Sequence, residues 1–228
     1  MSEFVLSMFA KRLGEPYNFI QEEQGNIFRN IRPIKKNESE QSSDCSKINL
    51  ELHVEIAFHT FKPDYLLLSC LRGDRDQNAY TLISSLNKIG DVVDESLKEE
   101  LKKPQFKFRA IDYSFGGAAE EFYCNRIIPV LDGEGDEMTI TYDLDLMRGV
   151  NGIAQAALDQ LKSRIESVQE KIMLEPGDLL VIDNKRAIHG RTAFTPYFDG
   201  HDRWLQRVLV TANPDFTSKI PSEGRVIK

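Results

Sequence analysis

The chain has 228 residues, of which 41% are hydrophobic and 29% charged, as is typical of one globular domain with a full-sized core. Its formal net charge of -7 argues against general nucleic-acid binding, which requires a basic surface. No apolar run is long enough to span a bilayer, and the N-terminus lacks the features of a signal peptide. We therefore expect a single domain over residues 1–228, without nucleic-acid or membrane partners.

The cysteines indicate a reducing compartment. Their number is odd and they are scattered along the chain, at Cys45, Cys70 and Cys124. This distribution is typical of reduced thiols in a cytoplasmic protein. No two of them are near each other in sequence, so we do not expect them to bind a metal.

The N-terminal part is predicted to contain a helix, a short strand and a loop. Apolar residues of the segment 2–13 fall on one helical face, and Gly14 can end the helix. The segment 21–33 is typical of a turn followed by a short strand. Residues 35–46 are polar, with few apolar side chains, so we expect a mobile loop there.

The most informative stretch runs from Leu50 to His59 and alternates at period two, which predicts a strand. One face is wholly apolar: Leu50, Leu52, Val54, Ile56 and Phe58. The other face places His53 and Glu55 side by side, pointing the same way. Such a nitrogen and oxygen pair can hold two adjacent positions of a divalent metal. A third ligand must come from elsewhere in the chain, which has only four histidines.

The remaining elements alternate between strands and helices. Strands are predicted at 65–71, 105–112, 122–131, 137–144, 179–182 and 205–211. Helices are predicted at 77–103, in two pieces broken near Gly90, and at 152–172, where apolar residues recur at helical spacing. The tail after Asn213 has no strong signal. Many strands with a few packing helices favour a β-sandwich or barrel with helices on its outside.

Two further motifs make the pattern specific. LLVIDNKRAIHGR occupies 179–191, and DGHDRWLQR occupies 199–207. Together with HVEIAFH at 53–59, they resemble the clavaminate synthase-like family of Fe(II)- and 2-oxoglutarate-dependent oxygenases, which is related to taurine dioxygenase. The resemblance runs from about Gly25 to Arg207 and is greatest for the arginine, asparagine and lysine hydroxylases. An H-x-E motif alone occurs by chance, but here a distant H-G-R and a later arginine accompany it.

The resemblance implies a mainly β fold with a double-stranded β-helix (jelly-roll, cupin-like) core and flanking helices. It also implies that His53, Glu55 and His189 form a triad of two histidines and one carboxylate that binds Fe(II). Three ligands leave three positions for the co-substrate and O2. The carboxylate at position 55 disfavours a halogenase, because those relatives empty that position for chloride. His59 matches no ligand, and we interpret it as structural or as a neighbour of the ligands.

The resemblance assigns two arginines to two carboxylates. Arg203 matches the arginine that clamps the distal carboxylate of 2-oxoglutarate, and Thr81 matches the hydroxyl that supports it. Arg207 matches the arginine that takes the α-carboxylate of an amino-acid substrate. On a strand, Arg203 and Arg207 would share a face about 13 Å apart, which suits two different carboxylates.

Three more residues are implied to contact the substrate. Asp143 and Asp145 resemble an acidic substrate-contacting motif, although they could also be a solvated strand end. Asn26 lies where relatives have a polar residue near the substrate amino group. Two aspartates suit a cationic side chain, so arginine or lysine is favoured and asparagine follows. Relatives carry a further, largely helical N-terminal region, and we expect this region to be short here.

The implied function is hydroxylation of an L-amino acid, free or carrier-tethered, with release of succinate and CO2. Two alternatives remain open. One is a sister oxygenase that acts on another small acid or performs desaturation or cyclisation. The other is a catalytically silent, ligand-binding jelly roll. The sequence leaves the substrate, the carbon attacked and the oligomeric state open.

Overall fold

The computed structural model describes residues 1–109, 124–213, 215 and 222–227. Four α-helices lie within this part of the chain: α1 (Ser2–Leu13), α2 (Leu86–Val92), α3 (Glu95–Leu101) and α4 (Gly152–Val168). The strands are β1 (Glu15–Phe19), β2 (Arg29–Ile31), β3 (Leu50–His53), β4 (Tyr65–Arg72), β5 (Thr81–Ser85), β6 (Phe106–Phe108), β7 (Leu131–Asp132), β8 (Thr139–Ile140), β9 (Met147–Gly149), β10 (Glu170–Ile172), β11 (Leu179–Asp183), β12 (Ala187–Arg191), β13 (Trp204–Thr211), β14 (Ser222–Glu223) and β15 (Val226–Ile227).

Two sheets form the body of the fold. The larger has the order β11-β4-β13-β1-β15-β14, with β2 also paired to β13, and the smaller has the order β10-β5-β12-β3. Their pairs are antiparallel except for β1 and β15. Leu66 and Leu205 of the larger sheet share one apolar core with Leu52 and Ile188 of the smaller. Antiparallel sheets around a common core agree with the predicted jelly roll.

The helices pack outside the sheets. Helix α1 lies on β4 and β13 and buries Leu6 and Ala10, while α4 packs against α2, α3 and β9. Asn151 caps α4, because its side-chain oxygen accepts the N–H of Ala154 at 2.9 Å. None of the described helices is both long enough and apolar enough to cross a membrane. The space between the two sheets is therefore left for a site.

The helix predicted at 77–103 is wrong in its first part. Thr81–Ser85 is strand β5, which pairs with β10 and β12 and whose β-branched residues suit a strand. The break lies at Asp94, not at Gly90, because the Asp94 side chain accepts the N–H of Leu97 and caps α3. The helix predicted to reach residue 172 ends at Val168, where the chain turns to pair with β5.

The segment 35–46 differs from the mobile loop that was predicted. Ser42, Asp44 and Cys45 are buried, and Arg191 donates to the carbonyl oxygen of Ser43 at 3.4 Å. The second half of the segment is therefore held against the body of the protein, while Lys35, Lys36, Ser39 and Glu40 are exposed to solvent. The tail also differs, because β15 pairs with β1.

Several other predictions agree with the structure. Helix α1 ends before Gly14, and β4, β11 and β13 lie where strands were predicted. The strands predicted at 122–131 and 137–144 are reduced to the short pair β7 and β8. Parts of two predicted strands, 110–112 and 122–123, lie outside the described residues.

Candidate active site

The strand that carries His53 is shorter than predicted. Strand β3 ends at His53, the N–H of Val54 donates to the carbonyl oxygen of Tyr142 at 2.8 Å, and Ile56 has a φ of 51°. Glu55 therefore lies in the turn after the strand, and the prediction that it shares a strand face with His53 is wrong. The side chains that follow the strand are buried on both predicted faces: Val54, Ile56, Ala57 and Phe58.

His53, Glu55 and His189 nevertheless meet. Strands β3 and β12 are neighbours, and His53 lies opposite His189. One ligand atom from each of the three residues lies within 4.8 Å of the others. The Oε2 atom of Glu55 is 3.4 Å from Nε2 of His189. Two imidazoles and one carboxylate that converge in this way are the donor set of a non-haem iron site.

Both imidazoles can offer a nitrogen lone pair. The Nδ1 atom of His53 lies 2.7 Å from the carbonyl oxygen of Glu51, which can only accept, so the contact favours the tautomer that has its proton on Nδ1 and a lone pair on Nε2. Burial, followed by the neighbouring His53, lowers the pKa of His189. His189 is therefore neutral near pH 7, which is the form that binds a metal.

Glu55 is almost fully buried and ionised. Burial by itself raises the pKa of this carboxyl, but the attraction of Arg207, then of His189, outweighs it and holds the pKa well below its usual range. Arg207 donates to Oε1 at 2.6 Å. The other oxygen, Oε2, is the one that faces His189. The carboxylate thus presents one oxygen to the cluster.

Arg207 lies within a buried chain of ion pairs. Besides Glu55, it pairs with Glu22, which in turn accepts from Arg29 at 2.7 Å. Arg29 lies 3.6 Å from Asp44 in the segment 35–46. Arg207 lines the cavity as its predicted role requires, but it already contacts two carboxylates. Sequence reasoning missed Glu22, because nothing in QEEQGN distinguishes it from the adjacent Glu23.

Arg203, unlike Arg207, is not part of this chain of ion pairs. It is 6% exposed and lines the same cavity, yet no hydrogen bond or ion pair joins it to any described residue. Burial, followed by the nearby Arg191, lowers the pKa of Arg203 to about 10, so the guanidinium is charged near pH 7. Thr81 is also buried and lines the cavity. A buried cation without a partner is costly, so Arg203 forms a candidate anion site.

The predicted geometry of the two arginines needs a correction. Strand β13 begins at Trp204, and its register with β4 shifts between Trp204 and Leu205. The simple alternation that placed Arg203 and Arg207 on one strand face therefore does not extend to Arg203. Both side chains still line the cavity.

Asp143 and Asp145 also line the cavity, and both have partners. The Oδ1 atom of Asp143 accepts the N–H groups of Asp145 and Leu146 at 3.0 and 2.8 Å. Burial raises the pKa of Asp143, against the attraction of His53. Asp145 pairs with the half-exposed Arg109 at 2.7 Å. Asp143 thus holds a turn beside His53 rather than a solvated strand end.

Asn26 lies outside the set of described residues that line the cavity. It is exposed, and its side-chain oxygen accepts the N–H of Phe28 at 3.2 Å. Its predicted contact with a substrate amino group has no support in this position. Glu22 and Glu23, just before it in the chain, line the cavity instead.

His59 lies away from the cluster, in agreement with its structural interpretation. Its ring packs against Phe19 with centroids 4.8 Å apart, and its Nδ1 accepts the N–H of Phe61 at 3.0 Å. Burial, followed by Arg126, lowers the pKa of His59 to about 4. A neutral imidazole in edge-to-face contact with a buried aromatic ring serves packing.

The cavity has a volume of about 460 Å³, which suits small molecules. Its described lining contains seven carboxylates and four guanidinium groups: Glu22, Glu23, Asp44, Glu51, Glu55, Asp143 and Asp145 against Arg29, Arg191, Arg203 and Arg207. The cavity can therefore hold anions beside individual arginines, while its overall charge favours a cation.

The chain is similar in sequence to a family of known enzymes. Residues 2–209 match the family described as "Taurine catabolism dioxygenase TauD, TfdA family". The chain is 34% identical to an L-asparagine oxygenase of Streptomyces coelicolor, 33% to an L-lysine 3-hydroxylase of Catenulispora acidiphila and 30% to clavaminate synthase 2 of Streptomyces clavuligerus. These alignments cover 98, 94 and 91% of this chain but 66, 60 and 63% of those proteins. The chain thus spans less than two thirds of their length.

Solved structures give the same picture. An asparagine oxygenase bound to Fe(II), 2S,3S-3-hydroxyasparagine and succinate has a TM-score of 0.88 and 31% identity, covering 98% of this chain and 69% of its own. The oxygenase OrfP, bound to Fe and alpha-ketoglutaric acid, has a TM-score of 0.87 and 29% identity, covering 100% and 70%. OrfP bound to Fe, succinate and (3S)-hydroxy-L-Arg has a TM-score of 0.88 and 28% identity, covering 100% and 72%. These likenesses confirm the predicted jelly-roll core.

Proposed function

The chain belongs to the TauD/TfdA dioxygenase family, as its motifs predicted, and from this premise we propose that it is an Fe(II)- and 2-oxoglutarate-dependent amino-acid hydroxylase. One observation carries the proposal. The cluster of His53, Glu55 and His189 lies in the same cavity as Arg203, a buried cation without a partner among the described residues. A metal site beside an anion site is what a carboxylate co-substrate that chelates iron needs.

His53, Glu55 and His189 would hold the iron. The fit rests on their donor chemistry, since two imidazoles and one ionised carboxylate converge from β3, the turn after it and β12. Bound Fe(II) supplies the oxygen chemistry that breaks an unactivated C–H bond. The chain's own residues bind and orient the reactants and exclude water.

Arg203 would pair with the distal carboxylate of 2-oxoglutarate, and the Thr81 hydroxyl would support it. A planar guanidinium matches a planar carboxylate through two parallel hydrogen bonds. Such a pairing would give this buried guanidinium at the cavity wall the carboxylate that no described residue supplies. OrfP, with the same fold, was solved with alpha-ketoglutaric acid.

Arg207 would take the α-carboxylate of the substrate. Because it already pairs with Glu22 and Glu55, an incoming carboxylate must share or displace one of these contacts. The acidic excess of the cavity, with Asp143 and Asp145 in it, favours a cationic side chain, so arginine or lysine leads. Asn26 is left out of this arrangement because it lies outside the cavity lining.

A panel of free L-amino acids, incubated with Fe(II), 2-oxoglutarate and O2, tests the proposal. Mass spectrometry should find the gain of one oxygen atom on a cationic amino acid, with succinate released in equal amount. Succinate release that no amino acid stimulates would point to a different small acid. Ligand binding without any succinate would indicate the silent jelly roll.

His189→Ala is the matched control for that panel. Loss of one imidazole leaves too few ligands, so the variant should neither retain iron nor turn over. Full activity of His189→Ala would remove the triad from the proposal. An unchanged circular dichroism spectrum would show that the variant is folded.

A further inference from the structure

The turn that carries Glu55 has little regular structure to hold it. Strand β3 ends at His53, and the next residues are outside any sheet ladder. Ile56 has a φ of 51°, in the left-handed region that β-branched residues avoid. A metal ligand must stay within about 0.5 Å of its productive position. Some other group must therefore hold the backbone at Glu55.

Asn184 makes the contacts that this turn needs. It follows β11 and is fully buried, at 0% exposure. Its Oδ1 accepts the N–H of Glu55 at 2.8 Å. Its Nδ2 donates to the carbonyl oxygens of Glu55 at 3.1 Å and of Pro63 at 2.9 Å. One side chain thus holds both ends of the segment 55–63.

The backbone of Asn184 contacts the residue that follows this segment. Its N–H donates to the carbonyl oxygen of Asp64 at 2.9 Å. Only five residues further along the chain, β12 carries His189 into the cluster. The short stretch from Asn184 to His189 therefore supplies one candidate ligand and holds the backbone of another.

We propose that Asn184 is a positioning residue of the metal site. It sets the backbone of Glu55 so that the carboxylate meets the two imidazoles. The inference rests on the proposed function, in particular on metal binding by His53, Glu55 and His189. An amide suits the position because it offers an acceptor and two donors at once. Aspartate keeps the acceptor but lacks the donors, and alanine lacks both.

The test measures Co(II) affinity and the visible absorption spectrum of the bound metal, without 2-oxoglutarate or amino acid. Asn184→Ala and Asn184→Asp should each weaken Co(II) binding by about 10- to 100-fold, as loss of a group that orients a ligand does elsewhere. The spectrum should also change, because the ligand geometry changes. Asn184→Asp is nearly isosteric and carries the test if the alanine variant does not fold.

Asn151→Ala is the matched control, since it removes an asparagine that caps α4 and does not touch the segment 55–63. It should lower the melting temperature while Co(II) binds as in the wild type. Wild-type affinity in the Asn184 variants would overturn the inference, as would equal weakening by Asn151→Ala. If the wild type itself binds no Co(II), the proposed function fails instead.

Discussion

Arg203 and Arg207 are four residues apart and line the same cavity, yet their surroundings differ. Arg207 contacts Glu22 and Glu55, whereas no carboxylate among the described residues pairs with Arg203. Both are almost fully buried. The charge of Arg207 is therefore balanced by two carboxylates of the chain, whereas none of the described residues balances the charge of Arg203.

Because of this difference, we expect one arginine to contribute to the stability of the fold and the other to ligand binding. A buried ion pair leaves an uncompensated charge when one partner is removed, which is strongly destabilising. An unpaired buried cation costs free energy in the free protein and recovers it when its ligand binds. Arg207 should therefore matter to the fold, and Arg203 to the co-substrate.

The largest expected effect compares Arg207→Met with Arg203→Met. Arg207→Met leaves Glu22 and Glu55 without their shared cation, so the free energy of unfolding should fall by about 3–5 kcal/mol. Arg203→Met replaces a charge that no described residue pairs with by a shorter, unbranched apolar side chain, so stability should stay unchanged or rise. Urea denaturation of the metal-free variants measures both values. Equal destabilisation by the two changes would end the distinction.

The second prediction concerns Asp143 and Asp145, the two aspartates of the cavity for which we propose a contact with the substrate. Asp143→Asn should lower kcat/KM for arginine or lysine. The loss should correspond to about 2–5 kcal/mol of transition-state free energy, which is the cost of losing one partner of a desolvated pair. Asp145→Asn should cost less, because Asp145 is half-exposed and already pairs with Arg109. Neutral amino acids should lose far less in both variants.

Steady-state kinetics on one cationic and one neutral amino acid, with the iron content measured in parallel, separate the possibilities. Equal losses on both substrates would show that the two aspartates are structural or bind the shared α-amino group. No loss on either would leave them as turn-forming residues only.

The third prediction sharpens the Arg203 side of the comparison. Arg203→Lys keeps the charge and loses the planar fork. The KM for 2-oxoglutarate should rise. The increase should correspond to a loss of about 1.5–3 kcal/mol of binding free energy, which is the contribution of a hydrogen bond to a charged group. The KM for the amino acid should change little, and Arg207→Lys should show the opposite pattern. A shift in the amino-acid KM alone for Arg203→Lys would reverse the two assignments.

The smallest effect involves another cation, the partly buried Lys62, which lies outside the cavity lining and donates to the Thr141 hydroxyl. Burial, followed by Lys185, lowers the pKa of Lys62 to about 8 from its ordinary 10.5. Between these pH values the unfolded chain binds the proton and the folded protein does not, so this group makes stability rise with pH. Lysine can release its proton in this way, and arginine cannot.

Lys62→Met removes the pH dependence of stability that comes from this lysine. The variant should be more stable than the wild type below pH 8, and its advantage should shrink as the pH rises from about 8 to about 10.5. Thermal melts of both proteins across this range give the difference. A difference that does not depend on pH would show that folding leaves the pKa of Lys62 unchanged.

Patterns of residues close in sequence predicted several of the helices and strands correctly. Helical spacing identified α1 and the start of α4, and an apolar run identified β4, because both depend on residues close in sequence. The H-x-E and H-G-R motifs identified the family and named three residues that the structure brings together. Local reasoning failed at Thr81–Ser85, where pairing with distant strands outweighed helical spacing.

The amino-acid sequence by itself thus determined which family this chain belongs to and which side chains are candidates for metal and co-substrate. Only the tertiary structure decided how those side chains are held. Glu55 leaves the strand and contacts Arg207 and Asn184, which are 152 and 129 residues away along the chain. Arg203 has no hydrogen-bond or ion-pair partner in the part of the chain that the structure describes. Such contacts depend on how the two sheets pack, and no short-range pattern of residues records them.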